Sequence, residues 1–284
     1  MALKNNWRAH GIALGGKIVA QSLPNPQIDH VDPFLLLHHA GPWQIESGIK
    51  DFDVPPHPHR GFEPITFIFQ GGVKHRDSLG NQLDVEAPGV QWISAARGLI
   101  HAEGLSDQLL QEGGTFEIIQ LWVNLPANQK MTPPTYIAKD QNSFKQLSLE
   151  SGNGKVYLVS GRLQDKNGNF QSKSQVDSAM AFLLSGDVFS SPLKKGNAHL
   201  LYILGGSVII EGEKYEKEQL VQLNSETNLL NIKAVKDTRF LLVSAPPLNE
   251  PIATFGPYVM NTQTEIMQAL RDYNQGKMGF LPLS

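Results

Sequence analysis

Two short stretches of this chain carry the residue types and spacings able to do chemistry. His57-Pro58-His59-Arg60-Gly61-Phe62-Glu63 is answered further along by Gly98-Leu99-Ile100-His101-Ala102-Glu103. Alternate side chains of an extended strand share a face, so His57 points with His59 and His101 points with Glu103. If both faces look into a small barrel, three imidazoles and one carboxylate meet at a point. That donor set suits a divalent transition metal, and a six-coordinate ion bound by it keeps two positions open for substrate. A single His-x-His is a common accident of exposed strands. The chain has only nine histidines in 284 residues, yet three of them fall in these two clusters, with a carboxylate in step. The pairing of the two clusters argues for a metal site with room for chemistry.

The residues around the pairs have weaker readings. Arg60 and Arg97 flank the two motifs and could meet an anionic substrate, although surface ion pairing explains them as well. Phe62, Phe67, Trp92 and Ile100 are candidates for an apolar pocket wall, as well as for ordinary core. Glu63 could orient a ligand imidazole from behind or be an unremarkable strand carboxylate. His38 and His39 sit side by side in an apolar run. Of the two, His39 is the better pocket candidate, because it lies beside the Gly41-Pro42 turn.

The elements that must position these residues read as short strands. Residues 34–39 form an apolar run after Asp32-Pro33, and 65–69 (Ile-Thr-Phe-Ile-Phe) is strongly β-prone and ends at Gly71-Gly72. Strands are expected again at 73–75, 90–94 and 116–123, separated by turn residues such as Leu79-Gly80-Asn81. The stretch 126–144 is polar and holds Pro133-Pro134. It marks a domain junction, giving domains 1–135 and 136–284. Strand rhythm then resumes at 156–159, 181–184 and 199–210, where Tyr202-Ile203-Leu204-Gly205-Gly206 echoes the segment before Gly71. The echo points to a duplicated fold of two antiparallel barrels. Counting back from Gly205 by the spacing of His57 and His59 from Gly71 reaches Ser191 and Leu193, which are not metal ligands. His199 is the only histidine after His101, so the second half is expected to lack a metal site. Thr262 and Glu265 fit a capping box, and Ile266, Met267, Leu270 and Tyr273 follow at helical spacing. A short C-terminal helix with a packing role is expected there.

Bulk properties exclude several function classes. The net charge of −3 and pI near 6.3 give no basic field for nucleic acid or an anionic membrane. The absence of cysteine removes disulfides, thiolate ligands and thiol nucleophiles. No apolar run is long enough for a signal peptide or a membrane span, so a soluble cytoplasmic protein is expected.

The motifs resemble the pirin family, a branch of the cupin superfamily. The resemblance rests on Pro56 through Glu63, on His75 through Asn81, on Pro88-Gly89-Val90-Gln91-Trp92, on Ala96 through Glu103, and on the tail Gly256 through Thr262 with Arg271-Asp272-Tyr273. It spans nearly the whole chain, but His38-His39 stand where pirins often carry an acidic pair. The resemblance implies an all-β bicupin. In many cupins the first-motif glutamate, here Glu63, is a ligand; in pirins the carboxylate is the one matching Glu103. The implied metal set is His57, His59, His101 and Glu103, with Fe(2+) the expected ion and nickel, copper, manganese, cobalt and zinc open. Two function classes follow. One is a quercetin (flavonol) 2,3-dioxygenase, with a small aromatic substrate, O2, and Glu103 as the catalytic base. The other is a non-enzymatic metal-binding regulator that acts through a protein partner, either a transcription factor or a metabolic enzyme.

Overall fold

Both ligand motifs lie on strands. The computed structural model describes residues 3–14, 16–49 and 53–282. The first twelve strands are β1 (Leu3–Arg8), β2 (His10–Leu14), β3 (Lys17–Leu23), β4 (Phe34–Ile45), β5 (Asp53–His59), β6 (Phe62–Gln70), β7 (Gly72–Asp77), β8 (Gln82–Glu86), β9 (Gly89–Ser94), β10 (Leu99–Leu105), β11 (Gly114–Asn124) and β12 (Thr135–Asp140). A short helix, α1 (Asp107–Glu112), joins β10 to β11. The β-branched and aromatic run 62–69 is buried along its whole length, as suits a strand covered on both faces.

The later strands are β13 (Lys145–Leu147), β14 (Lys155–Ser160), β15 (Arg162–Leu163), β16 (Lys166–Asn167), β17 (Asp177–Leu183), β18 (Val188–Pro192), β19 (Ala198–Gly205), β20 (Ser207–Ile210), β21 (Glu213–Glu216), β22 (Gln219–Leu223), β23 (Leu229–Ala234), β24 (Thr238–Ala245), β25 (Ala253–Phe255) and β26 (Tyr258–Met260). They are followed by α2 (Gln263–Asn274). The helix begins with the expected capping box: Thr262 accepts from the Glu265 backbone, and the Glu265 carboxylate accepts from the Thr262 backbone.

Strand order shows the duplication. The four-stranded sheets β5-β10-β7-β8 and β18-β23-β20-β21 share one order, and so do β12-β9-β6-β11-β4-β3-β2 and β1-β22-β19-β24-β17-β14-β13. The fold is thus the expected pair of antiparallel cupin barrels. The compact units are not contiguous in sequence: one comprises 13–19, 34–140 and 248–284, and the other 1–12, 20–33 and 141–247. The division after Asp140 lies beyond the 135/136 junction read from proline content, because 135–140 forms β12 and pairs with β9. In the other unit the equivalent edge position is filled by β1, whose Trp7 pairs with Leu220 of β22.

Matching registers show what each barrel does with the same interior positions. His101 faces His57 across β10 and β5, and Leu230 faces Ser191 across β23 and β18. Leu105 faces Val73, and Ala234 faces Val208. Carried along the strands, His57, His59, His75, His101 and Glu103 correspond to Ser191, Leu193, Ile210, Leu230 and Ile232. Those four aliphatic residues join the apolar core of the second barrel. His199 is buried there too, and burial holds its pKa down at about 4.

The turn from β5 into β6 depends on Gly61. Its φ of +88° is left-handed, and a Cβ there would sit 1.8 Å from the Val259 carbonyl oxygen. Gly61→Ala is expected to cost about 3 kcal/mol of stability. Gly80→Ala, with φ +90° but open space around it, should cost about 1 kcal/mol. Urea unfolding of the two variants checks the difference, and equal losses would contradict the close approach.

Candidate metal centre

Strands β5, β7 and β10 bring five donor side chains to the interior of one barrel. One ligand atom from each of His57, His59 and His101 lies within 4.8 Å of the others, and the same holds for His75, His101 and Glu103. The ring centroids of His57 and His101 are 4.3 Å apart, those of His57 and His59 4.8 Å, and those of His59 and His101 4.9 Å. His57, His59 and His101 therefore converge as the spacing predicts. Glu103 converges with His101 and His75 instead of completing a single group of four. Glu63 is buried on β6 and belongs to neither group.

The electrostatics favour neutral imidazoles with available lone pairs. Burial holds the His101 pKa well below its ordinary value, and the nearby His59, His57 and His75 add to the depression. Burial does the same for His59, with His57 adding to it. His57 is lowered by burial and raised in part by its bond to Pro55. Its Nδ1–H donates to the Pro55 carbonyl at 2.9 Å, which leaves Nε2 with the lone pair. Neither ring nitrogen of buried His101 has a hydrogen-bond partner. Nitrogen atoms in this condition suit a cation as partner, since unpaired buried polar atoms are costly.

Glu103 sits in a different balance. Burial pushes its pKa up to about 7, opposed by the bond it accepts from Gln91. The Gln91 amide also donates to Thr66 Oγ1 at 3.2 Å. Glu103 Oε1 stands 3.5 Å from His101 Nδ1, beyond a good hydrogen bond. Glu103 and Gly104 border a cavity of about 130 Å³ lined mostly by apolar groups, among them Leu14, Val19, Val73, Phe116 and Ile118.

Three residues with roles here carry no signal in the two motifs. His75 on β7 is the cross-strand partner of Glu103, and its ring stacks on Tyr136 at 4.0 Å with the planes 6° apart. Burial and the carboxylates of Glu103, Asp77 and Asp84 push the Tyr136 pKa upward. Gln91 positions the Glu103 carboxylate. His75 and Asp77 are two apart on one strand, so an i, i+2 signal existed for them; Gln91 and Tyr136 offered none.

Several expectations change. His38 lines the cavity, whereas His39 takes the other face of β4 and meets Glu117 Oε1 at 3.3 Å. Alternation along the strand outweighs proximity to the Gly41-Pro42 turn. Phe62 packs beside His59 and Trp122, with ring centroids 5.1 and 4.3 Å away. Phe67 and Trp92 stand at alternate positions to Thr66 and Gln91 and pack on each other. Ile100 packs against the C-terminal segment. Arg60 neither meets solvent nor faces the cavity. It is buried, and it donates to the Arg97 carbonyl at 2.6 Å and to Asp272 Oδ2 at 2.9 Å.

Helix α2 therefore holds the site as well as packing. Arg60 adjoins His59, Arg97 leads into β10, and Asp272 on α2 ties them together. Lys130 adds a second tie: its buried ammonium donates to the carbonyls of Gly61 and Val259 and to Asn124 Oδ1. Burial lowers its pKa to about 8, against the attraction of Glu250 and Glu265.

Comparison with known proteins settles the family. The family model for pirin matches residues 16–123, and the model for the pirin C-terminal cupin domain matches 179–279. The chain belongs to the pirin family. It is 32% identical over 277 residues to a Pseudomonas aeruginosa protein that carries the provisional name quercetin 2,3-dioxygenase, covering 98% of this chain and 97% of that one. A pirin-like protein of tomato, Solanum lycopersicum, is 32% identical over 93% of this chain and 88% of its own. A crystal structure described as quercetin 2,3-dioxygenase from Acinetobacter baumannii superposes with a TM-score of 0.91 at 33% identity, covering 98% of each chain. No helix among the described residues is long and apolar enough to cross a membrane.

The Arg60–Asp272 tie generates a pH prediction. Burial alone would raise the Asp272 pKa, but donors from Lys277, Arg60 and Gln268 take it down to about 2. A depressed carboxylate pKa gives stability that is complete above the unfolded value near 4 and is lost as pH falls through about 2. Asp272→Asn is expected to cost about 2–3 kcal/mol at pH 7, with the gap to the unaltered chain closing between pH 4 and 2. Urea unfolding at several pH values checks this, and a gap that does not depend on pH would contradict it.

Proposed function

We propose that this pirin is a metal-dependent dioxygenase of the quercetin 2,3-dioxygenase type, with a divalent transition ion, Fe(2+) first, at His57, His59 and His101. The observation that carries the reading is the convergence of three imidazoles, those of His59 and His101 buried and that of His57 half-buried, together with Glu103, which groups with His101 and borders an apolar cavity. The nearness of relatives named for flavonol cleavage supports the substrate class. When bound, the metal would supply Lewis acidity and open coordination sites for an oxygen-donor substrate and dioxygen.

The chain's own residues have definite tasks. His57, His59 and His101 present lone pairs and add no charge, so the ion keeps its positive charge. The apolar lining excludes water and seats part of a flat ring system. A flavonol must lose its 3-hydroxyl proton to become electron-rich enough to react, and Glu103 takes that proton on a carboxylate oxygen. Gln91 holds the carboxylate by the opposite hydrogen bond and sets its direction. Imidazoles whose lone pairs are engaged cannot serve as the base.

Two outcomes check the reading. The metal-free chain should take up one divalent ion, and His101→Ala should abolish uptake while the 141–247 barrel stays folded. A stoichiometry of two, or undiminished binding by the variant, would refute the assignment. Quercetin consumption should match oxygen uptake and release carbon monoxide. Glu103→Gln, resupplied with metal, should remain slower by about a hundredfold, the scale of losing a general base. If Glu63→Gln stops turnover and Glu103→Gln does not, the base is Glu63. If the fully loaded chain turns over no flavonol with any metal, a role through a protein partner replaces the enzymatic one.

A further inference from the structure

We infer, on the flavonol reading proposed above, that His38 is a polar anchor in the wall of the cavity. With Gln120 beside it, His38 selects aromatic enols that carry a further hydroxyl group away from the reacting one. A row of polar side chains crosses the inner face of the sheet that holds β4, β11, β6 and β9. Residues directly opposite on neighbouring strands share a face. Thr66 on β6 stands opposite Gln91 on β9 and Gln120 on β11, and Gln120 stands opposite His38 on β4. One end of the row is tied to the metal centre: the Gln91 amide donates to Glu103 and, at 3.2 Å, to Thr66 Oγ1. The other end reaches the cavity, which His38 and Gln120 line together with Glu103. The next row on the same face is Ala40, Ile118 and Ile68, all apolar. The polar groups thus keep to one line.

The second barrel shows that the fold does not ask for this line. Thr66 stands as far before Val73 as Leu201 does before Val208, the residue matched to Val73. Leu201 faces Val221 and Leu242, and Leu242 faces Ala179. Gln91, Thr66, Gln120 and His38 therefore match Val221, Leu201, Leu242 and Ala179, which all belong to the apolar core. Polar side chains are costlier to bury than these, so packing does not account for the exchange. Gln91 and Thr66 are explained by Glu103. Gln120 and His38 stand two and three strands beyond Gln91, on the order of 10 and 14 Å along the sheet. At that remove they serve what fills the cavity.

The cavity, of about 130 Å³, is close to the size that takes one aromatic ring. A neutral imidazole offers one donor and one acceptor, and an amide offers both. The pair can therefore give a hydrogen bond to a phenolic hydroxyl and receive one from it. A site built this way rejects the analogue that lacks the hydroxyl, because its own polar groups then go unpaired. Glu103 deals with the reacting hydroxyl, and His38 reads the ring that does not react.

Binding of two flavonols to the Ni(2+)-loaded full chain under argon tests this without turnover. The probes are quercetin and 3-hydroxyflavone, which keeps the reacting hydroxyl and lacks the others. The unaltered chain should bind quercetin more tightly by about tenfold, the scale of one well-made hydrogen bond. His38→Ala, which copies Ala179 of the second barrel, should bring the two affinities to within about twofold. His38→Gln keeps hydrogen-bonding groups and should retain most of the preference. Gln120→Leu, which copies Leu242, repeats the test from the neighbouring strand, and circular dichroism confirms folding. Folded variants that weaken toward both flavonols equally, leaving the ratio in place, overturn the anchor alone. So does an unaltered chain that binds both equally. A loaded chain that binds neither flavonol overturns the anchor together with the proposed function.

Discussion

Burying an imidazole nitrogen with nothing to bond costs about 1–3 kcal/mol, and one barrel of this protein accepts that cost at His75 and His101. The other barrel, with the same strand order, carries it at His199 on β19, away from the positions that match the histidine ring. There the corresponding interior positions hold aliphatic residues and Ser191, and burying each aliphatic side chain contributes about 1.5–3 kcal/mol. The cupin scaffold thus keeps its fold with aliphatic residues at four of the five matching positions. The polar ring of the first barrel sits on the fold without being needed by it, which is the pattern of a site built on a scaffold.

The rest of that barrel holds the ring still. Pro55 and Asp77 fix the tautomers of His57 and His75, and Gln91 fixes the direction of Glu103. The loops between strands are held from outside, by Arg60 to Asp272 and by Lys130 to Gly61 and Val259. Both ties join the ligand motifs to the last part of the chain, which belongs to the same compact unit. A buried ion pair adds little net stability over an apolar substitute, but breaking it is costly. What it provides here is a link between the residue after β5 and the residue that leads into β10, and reaction rates fall steeply when catalytic groups are misplaced by an ångström.

Much of this was legible in the residues. The i, i+2 pairs announced His57, His59 and His101, because strand alternation is a local rule. The count that reached Ser191 and Leu193 found the positions that strand register now matches to His57 and His59, since the repeat keeps its spacing. The capping box placed α2. What escaped was non-local or masked. Asp272 reaches Arg60 across a sequence separation of 212 residues. The Pro133-Pro134 dipeptide hid β12, and with it Tyr136. His39 looked better placed than His38 until the register of β4 fixed which of them faces inward. His75 was read only as part of a family signature, although its spacing from Asp77 is the same i, i+2 signal that exposed the other histidines.

X-ray absorption spectroscopy of the metal-loaded chain asks directly whether the histidine ring binds metal. Three imidazoles at His57, His59 and His101 predict a first shell of nitrogen and oxygen, with the strong outer-shell scattering of about three histidine rings. A shell of oxygen alone, without imidazole scattering, would contradict the account, because the ion would then lie outside the barrel interior.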